Sequence, residues 1–523
     1  MSIRLIYSHI FSRLFAKWGI IRNFAPLTLN GNINMNKKLI SILFVLFSLT
    51  VFAQNPKREF RGAWMHTVHQ SQYAKMTPQE TKDYLIDQLD LLQDAGVNAV
   101  LFQVRPSADA FYPSKLEPWS RFLTGKAGVA PSPVWDPLEF MIKECHKRGM
   151  ELHAWLNPYR VTTSANEVLP KNHIYHKHPN RFVKYDGKLY FDPGLPENRK
   201  FIESVVLDLI TRYDLDGVHM DDYFYPYPVA KKEFPDDASY KKYGKGMNRG
   251  DWRRKNVDLL IEEIHKLISK EKPWIRFGVS PFGIWRNKKS DPRGSDTNGL
   301  QNYDALYADV LLWSKNGWVD YMLPQLYWEL EHKAASYLVL VDWWNNNANG
   351  RHMYIGQDVN KTMKLPDLAP SQEKSQLKHK VELTRSLENI QGNCWWPGYS
   401  ITKNYLGVAD SLENDLQSTI ALVPTYPWIS EVKPSPVVGA RISGETLMWD
   451  RPVVEGKLND STHFVVYASD SDDAESVISD SENIIAVVYG NSLTLEGALP
   501  SRIYITALNR VNNESAPVMV KVK

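Results

Sequence analysis

The strongest constraint on the fold is a repeated alternation of short apolar segments with longer amphipathic ones. The apolar segments are rich in β-branched and aromatic residues, as strands are, and the longer segments show helical spacing. Strands are predicted at residues 61–68, 99–105, 151–157, 217–222, 276–281, 321–327, 352–358 and 394–401. Alternating strands and helices indicate a parallel sheet, and about eight repeats indicate closure into a (β/α)8 TIM barrel.

Helix start signals support this alternation. The segments TPQE at 77–80 and DPLE at 136–139 are capping boxes with Pro at the first helical position. Further helices are predicted at 198–213, 252–270, 303–316 and 371–389. A doubly wound open sheet is the alternative architecture. Because no Gly-rich phosphate turn follows the first strand, a dinucleotide-binding version is disfavoured and no cofactor is expected.

Composition narrows the class of protein. The chain has 523 residues, 43% hydrophobic and 23% charged, which suits a globular protein with a barrel and a smaller domain. Its net charge is +3 with dispersed basic residues, whereas nucleic-acid binding needs a concentrated basic face. Aromatic residues, 12% of the chain with 17 Trp, suit a carbohydrate cleft, although buried core aromatics explain them equally well. Cys145 and Cys394 sit in apolar segments, so buried free thiols are expected and a disulfide is the alternative.

The first 53 residues are predicted to be leader sequence. Residues 35–53 combine a positive start (MNKK), an apolar run and the segment VFA before Gln54, the pattern of a signal peptide. Residues 1–34 look like upstream sequence from a start codon assigned too early, with an extra leader as the alternative. No Cys follows the apolar run, so no stable membrane anchor is expected after cleavage. The mature protein is therefore expected to be exported, to the periplasm or the extracellular space.

A Pro-rich stretch near 424–436 divides the mature chain into two predicted domains, the barrel at 54–425 and a second domain at 426–523. The second domain shows strand patterns, which predict a β-sandwich. They lie at 446–449, 463–468, 483–488, 492–496, 503–508 and 518–522. The ending IYITALNRVNNESAP resembles the closing strands of a fibronectin type III domain. A spacer or docking role is expected for this domain.

The segment DGVHMDDYFYP at 216–226 is the first candidate for chemistry. Strand alternation places His219 and Asp221 toward the barrel mouth and Val218 and Met220 toward the helices. Glycoside hydrolysis needs two carboxyl groups, one to protonate the leaving oxygen and one to attack or stabilise the anomeric centre. Asp221 is predicted to be the nucleophile or stabiliser. Asp222 either shares the chemistry or caps the loop that it begins.

The partner acid is predicted to come from another loop. Glu117 lies between a Leu and a Pro-Trp pair, and such surroundings favour the protonated form that a general acid needs. Asp109 is the competing acid of the same loop, and Arg105 faces the mouth from the end of its strand. A metal centre at His219 and Asp221 is the other possibility. It is disfavoured because the ligand set is incomplete and no HxH or HExxH motif accompanies it.

Other strand ends supply polar and aromatic groups that are predicted to bind substrate. At one end of a barrel such groups line a cleft, and for any single residue a structural role is about as probable. The predicted substrate-binding residues are Arg105, Asp109, Trp64, His66, Asn157, Tyr159, His219, Tyr223, Gln325, Tyr327 and Trp328.

Several segments together resemble glycosyl-hydrolase-like family 10, also called the DUF187 family. They are EFRGAWMHTV, NAVLFQVRPSADAFYPSKLEPWSRFLTG, LHAWLNPYRV, DGVHMDDYFYP, DPRGSDTNG and VDYMLPQLYW, and the match covers about 58–419. The resemblance implies a (β/α)8 barrel, often followed by a fibronectin-like domain. It also implies an exported glycosidase that cuts glycan strands of peptidoglycan stripped of their stem peptides. By resemblance, Glu117, Asp221 and Asp222 map onto the family's acidic active-site motifs.

The favoured function is therefore an exported glycoside hydrolase whose partner is a polysaccharide, above all peptide-free peptidoglycan. A hydrolase of dietary or capsular polysaccharides and a non-catalytic glycan-binding barrel are the alternatives. If the substrate carries N-acetyl groups, substrate-assisted catalysis with Asp221 and Asp222 is a further possibility. Retention or inversion depends on a carboxylate separation that the sequence leaves open, as it does the oligomeric state.

Overall fold

The computed structural model describes residues 55–454 and 456–522. The predicted upstream sequence at 1–34 and the predicted signal peptide at 35–53 lie outside these residues. Residues 55–523 form one compact unit. None of the helices within the described ranges is long and apolar enough to cross a membrane.

Eight parallel strands close into a barrel, which confirms the predicted (β/α)8 architecture. The barrel strands are β1 (Phe60–Met65), β2 (Ala99–Arg105), β3 (Glu151–Leu156), β6 (Gly217–Met220), β7 (Arg276–Val279), β8 (Tyr321–Met322), β9 (His352–Asp358) and β10 (Ile390–Trp396). They follow one another around the barrel in chain order, and β10 pairs with β1. After β3 the chain inserts an antiparallel hairpin of β4 (Phe182–Tyr185) and β5 (Lys188–Phe191), which was not predicted.

Helices surround the barrel. They are α1 (Pro78–Asp94), α2 (Arg121–Thr124), α3 (Pro137–Lys147), α4 (Pro196–Arg212), α5 (Asp237–Tyr243), α6 (Arg249–Glu271), α7 (Val310–Lys315), α8 (Tyr337–Asn346), α9 (Val359–Lys364), α10 (Leu377–Ser386), α11 (Gly398–Thr402) and α12 (Val408–Ser411). The capping box predicted at Thr77 and Glu80 is present, with both reciprocal hydrogen bonds. At α3, Asp136 caps the helix by accepting from the backbone N–H groups of Leu138 and Glu139.

Most barrel strands end earlier than predicted, and two of the predictions overran by five residues, in each case because of a proline. β8 ends at Met322 instead of residue 327 because Pro324 has no N–H to donate to a neighbouring strand. Pairing resumes at Gln325, which bridges to both flanking strands. β10 ends at Trp396 instead of residue 401, and after Pro397 the chain enters α11.

Strand alternation separates two hydrophobic cores, as predicted. Val218 and Met220 belong to the large core between barrel and helices. The inner core contains Trp64, Trp155 and Tyr321. Cys145 lies in the outer core and Cys394 in the inner one, and both thiols are free.

Two glycines make room for polar rings inside the barrel. A Cβ atom at Gly278 would lie 2.0 Å from the ring of Tyr321, and one at Gly217 would lie 2.4 Å from the ring of His153. Because both approaches are far below van der Waals contact, these rings require glycine on the neighbouring strands.

The C-terminal residues form two small sheets that face one another. One sheet contains β11 (Val438–Ser443), β12 (Thr446–Asp450) and β15 (Ser492–Thr494), and the other contains β13 (His463–Ser469), β14 (Ile484–Tyr489), β16 (Arg502–Leu508) and β17 (Val518–Lys521). Trp449, Phe464 and Ile505 meet in one core between the sheets. A short helix, α13 (Ala474–Ser479), follows β13. The domain boundary at 425/426 and the fibronectin type III resemblance stay predictions.

Candidate active site

Asp221 and Asp222 lie at the C-terminal mouth of the barrel, immediately after β6. Their side chains are 8% and 2% exposed. The Asp221 carboxylate accepts three N–H groups, from the backbone of Asp222 at 2.9 Å, from Gln325 Nε2 at 3.1 Å and from Asn157 Nδ2 at 3.3 Å. Neutral donors from three strand ends thus fix this carboxylate in one orientation.

A second layer of hydrogen bonds orients the Asn157 amide. Gln103 Nε2 donates to Asn157 Oδ1 at 2.7 Å, and Arg160 Nη2 donates to the same oxygen at 3.0 Å. Gln103 Oε1 in turn accepts from the backbone N–H groups of Thr67 and Val68, both at 2.9 Å. With its oxygen committed to these donors, Asn157 must present its nitrogen to Asp221.

Asp222 is held in a different state from Asp221. Burial and the adjacent Asp221 carboxylate raise the pKa of Asp222 well above its ordinary value. The Tyr227 hydroxyl donates to Asp222 Oδ2 and partly opposes this rise. A buried carboxyl group whose pKa is raised in this way fits a proton donor.

Glu117 does not join this pair. Arg105 Nε donates to Glu117 Oε2 at 2.7 Å and Arg105 Nη2 to Oε1 at 2.6 Å, and both side chains are closed to solvent. Arg105 also donates to the Pro158 carbonyl at 3.0 Å. Both carboxyl oxygens of Glu117 are thereby engaged by Arg105, and the general-acid role predicted for Glu117 stays a prediction. The structure gives both residues the geometry of a buried clamp between two loops.

The Asp109 side chain forms its hydrogen bond within its own loop. Its carboxylate accepts from the backbone N–H of Ser107 at 3.0 Å. Burial, opposed by a hydrogen bond from Ser120 and assisted by the charge of Glu117, raises the pKa of Asp109 to about 6. Asp109 is therefore buried together with the clamp, and no hydrogen bond joins it to Asp221 among the described residues.

His219 lies inside the barrel with both ring nitrogens engaged. Trp64 Nε1 donates to His219 Nε2 at 3.2 Å, and His219 Nδ1 is 3.1 Å from the Tyr321 hydroxyl. Burial lowers the pKa of His219 well below its ordinary value, so the ring is neutral. Within 55–454 and 456–522, no group of three or more His, Cys, Asp or Glu residues is placed to hold a metal ion.

Half-buried aromatic rings form a wall on one side of the carboxyl pair. Their centroids are 5.7 Å apart for Tyr223 and Tyr227, 6.1 Å for Tyr227 and Phe282, and 5.4 Å for Phe282 and Trp328. The Arg160 guanidinium lies 5.3 Å from the Tyr223 ring. Aromatic faces beside paired carboxyl groups suit a sugar ring, whose C–H face is apolar and whose edge is polar.

His66, Trp396 and Tyr327 lie at or after the ends of three other strands of the barrel. The rings of His66 and Trp396 are 4.7 Å apart, and Gln70 bonds His66 Nε2. Burial lowers the pKa of His66 to about 4. Burial and the nearby Asp221 charge raise the pKa of Tyr327 well above its ordinary value. The predicted residue His66 thus packs against Trp396, which was not predicted, and the predicted residue Tyr327 lies near Asp221.

Tyr159 is not brought to this mouth. Its ring is fully buried in the outer core, so the structure does not support the predicted substrate contact. Several participants were missed instead, among them Tyr227 and Gln103 besides Trp396 and Phe282. Tyr227 lies five residues after Asp222 in an aromatic loop whose conformation strand parity does not address. Gln103 points into the barrel from β2. Strand alternation in the sequence is sufficient to identify it.

The sequence is similar to a known protein family and to two of its members. Residues 59–372 match the model of a family described as Glycosyl hydrolase-like 10. The chain is 38% identical over 494 residues to "Glycosyl hydrolase YngK" of Bacillus subtilis (strain 168), covering 91% of this chain and 96% of that protein. It is 37% identical over 366 residues to "Glycosyl hydrolase DigH" of Escherichia coli (strain K12), covering 65% and 83%.

Likeness to solved structures is weaker. The α-L-fucosidase isoenzyme 2 from Paenibacillus thiaminolyticus matches with a TM-score of 0.42 and 13% identity, over 69% of this chain and 49% of that one. The glycoside hydrolase domain of PgaB (BpsB) from Bordetella bronchiseptica matches with a TM-score of 0.45 and 12% identity, over 68% and 99%.

Proposed function

This chain belongs to the glycosyl hydrolase-like 10 family, and we propose that its substrate is the glycan strand of peptidoglycan from which the stem peptides have been removed. As a member of that family it is a glycoside hydrolase, an enzyme that cleaves glycosidic bonds. The predicted signal peptide at 35–53 supports export, to the periplasm or beyond the cell, where such strands occur. Peptidoglycan glycans are N-acetylated, and the following mechanism uses that substituent.

One observation carries the proposal, the pairing of Asp221 and Asp222 in unlike environments. Asp222 keeps a proton because burial and its neighbour raise its pKa, which qualifies it as the general acid. Asp221 accepts three N–H groups, and a carboxylate offers about four acceptor positions. The Asp222 side chain also shares a hydrogen bond with Asp221, and an N–H of the substrate can take that acceptor position once Asp222 has given up its proton.

The reaction then runs in two steps. Asp222 gives its proton to the glycosidic oxygen as the bond to the anomeric carbon breaks. The acetamido oxygen of the same sugar bonds to that carbon, while Asp221 accepts the acetamido N–H and offsets the developing positive charge. In the second step Asp222 takes a proton from water, and the water oxygen replaces the acetamido oxygen at the anomeric carbon. The aromatic wall from Tyr223 to Trp328 holds the ring.

The deciding experiment measures reducing-end release from peptide-free peptidoglycan, from intact peptidoglycan and from a panel of non-acetylated polysaccharides. Wild type is expected to cleave the first substrate best and to be inhibited by a thiazoline analogue. Asp222→Asn and Asp221→Asn are each expected to lose activity by roughly 10²- to 10⁴-fold. The exposed Asp472→Asn is the matched control and should retain full activity.

Other results point elsewhere. Release from a non-acetylated polysaccharide alone would assign a dietary or capsular substrate. Binding of glycans without release of reducing ends would contradict catalysis. Activity that resists the thiazoline but needs Asp221 would make Asp221 a direct nucleophile.

A further inference from the structure

A column of hydrogen-bonded side chains runs through the barrel interior below the carboxyl pair. Trp64 Nε1 is 3.2 Å from His219 Nε2, His219 Nδ1 is 3.1 Å from the Tyr321 hydroxyl, that hydroxyl is 2.8 Å from His153 Nδ1, and His153 Nε2 is 2.9 Å from Glu151 Oε2. All five side chains are buried. The column therefore connects the inner end of the active site to the opposite opening of the barrel.

The direction of every hydrogen bond in the column is fixed from both ends. An indole N–H only donates, so His219 Nε2 must accept and its proton resides on Nδ1. At the other end Glu151 is an acceptor, because Oε1 forms an ion pair with Arg276. A neutral ring at His153 donates from Nε2 to Glu151 and accepts at Nδ1. The Tyr321 hydroxyl accepts from His219 and donates to His153, which leaves no donor or acceptor in conflict.

The lower end of the column is held by the C-terminal β domain. Asn512 Nδ2 donates to Glu151 Oε1 at 2.9 Å, and Arg276 Nη1 donates to the Arg510 carbonyl at 2.9 Å. Arg510 also forms an ion pair with Asp214. Asp214 lies two residues before Asp216, in the loop that leads into β6. The loop between β16 and β17 thus supplies a donor and an acceptor to the two charged groups that set the column's direction.

Hydrogen bonds within the loop fix its conformation. Asn509 Oδ1 accepts from the backbone N–H of Val511 at 3.1 Å and of Asn513 at 2.9 Å. Asn512 adopts a positive φ of 65°, in the left-handed region that Asn enters more readily than most residues. Asn513 Nδ2 donates to the Ser430 carbonyl at 2.8 Å, which ties the loop to the interdomain linker.

We propose that loop 509–513 of the β domain is a positioning element of the active site, acting through the column to hold His219 as the neutral tautomer protonated on Nδ1. Asn512 is its principal positioning residue. The kinetic part of this proposal rests on the proposed function of the carboxyl pair, whereas the tautomer of His219 does not depend on it.

The position of His219 gives the column its importance. His219 precedes Asp221 by two residues and shares its inward direction on β6. If the column ran in the opposite direction, His219 would carry its proton on Nε2. That N–H would face the Trp64 N–H, with no acceptor between them. A charged imidazolium would favour ionised Asp222 and so remove the proton that the proposed general acid needs. A neutral His219 in one tautomer avoids both outcomes.

The test uses the full chain with ¹⁵N-labelled histidine. The His219 signals are identified by their loss in His219→Gln. In wild type we expect the shifts of a neutral ring with Nδ1 protonated and Nε2 bare. In Asn512→Ala we expect the His153 and His219 signals to move, and kcat to fall roughly 2- to 30-fold with KM little changed. The exposed Asn491→Ala of the same domain is the control and should change neither.

A second variant breaks the column at its centre without removing a ring. Tyr321→Phe should alter the His219 shifts and lower kcat in the same sense as Asn512→Ala. Wild-type His219 protonated on Nε2 would overturn the proposal. So would Asn512→Ala behaving like Asn491→Ala in both spectrum and kcat. If wild type cleaved no glycan at all, the proposed function would fail while the imidazole shifts still decided the column.

Discussion

Arg105 and Glu117 form a bidentate ion pair that is closed to solvent, with N···O distances of 2.7 and 2.6 Å. The side chains are 0% and 1% exposed. Two desolvated charges at this distance depend on each other, because either one alone would be buried without compensation. The relationship indicates a stabilising role for Glu117, and its predicted role as the general acid stays a prediction.

Glu117→Gln is therefore expected to destabilise the protein strongly. Removing one partner of a buried ion pair costs about 3–5 kcal/mol of unfolding free energy. Urea unfolding followed by tryptophan fluorescence measures this loss. The double variant Arg105→Met/Glu117→Leu leaves no unpaired charge and should recover much of the stability.

The activity of the folded Glu117→Gln fraction separates the two roles. We expect kcat per folded molecule to stay within about tenfold of wild type, far above that of Asp222→Asn. A stable Glu117→Gln enzyme that had lost 10³-fold or more in kcat would restore Glu117 as the general acid.

Tyr227→Phe should shift the pH dependence of activity. The hydroxyl stabilises ionised Asp222, so its removal raises the pKa of Asp222 further. An acid is active while protonated, and activity is lost as pH rises through its pKa. The basic limb of kcat/KM against pH should therefore move to higher pH. An unchanged limb, or one at lower pH, would show that Asp222 is not the proton donor.

Asn157→Ala should weaken catalysis by releasing Asp221. A hydrogen bond to a charged group is worth about 1.5–3 kcal/mol, so kcat/KM is expected to fall roughly 10- to 150-fold. Reducing-end assays measure this, with the exposed Asn166→Ala in the following loop as control. Equal activity of the two variants would mean that the Asn157 amide does not orient Asp221.

His146→Gln should destabilise the protein in a pH-dependent manner. His146 Nε2 lies 2.9 Å from Asp216 Oδ2, and this partner outweighs burial to raise the pKa of His146. Stability from a raised His pKa is complete below the unfolded value of about 6.5 and is lost as pH rises through the folded value. The Asp216 pKa is lowered although burial opposes this, so its contribution is lost only in acid.

The difference in urea midpoint between wild type and His146→Gln should therefore be large near pH 5 and small near pH 9. At pH 5 we expect this shift to correspond to about 1–3 kcal/mol of unfolding free energy. A gap that stayed constant over this range would indicate lost packing, not a lost ion pair.

The barrel itself was predictable from the sequence. β2 and β9 have the predicted bounds, and strand parity correctly placed Val218 and Met220 in the outer core and His219 inside the barrel. These features are local, since apolar periodicity and parity depend only on neighbouring residues. The closure of eight strands then follows from their number.

The partnerships of the site were not predictable in the same way. Arg105 and Glu117 are twelve residues apart, and only the folded loop brings their charges together. Tyr227 reaches Asp222 through a loop without periodicity. The apolar neighbours of Glu117 in the sequence suggested a protonated acid because the guanidinium that meets it is invisible in a linear reading.

The burial of Tyr426 limits how the β domain can be exchanged between proteins. Tyr426 lies between the domains, yet it is completely buried, with its hydroxyl 2.9 Å from that of Tyr354 and the Arg276 guanidinium 5.2 Å from its ring. A linker segment that is packed into the end of the barrel is not a flexible connection, so the domain that follows it cannot be replaced independently of the barrel. Shuffling of the β domain, by evolution or in a chimera, would have to transfer Tyr426 and Asn512 together with barrel residues that recognise them. The two domains should accordingly descend as a single genetic unit.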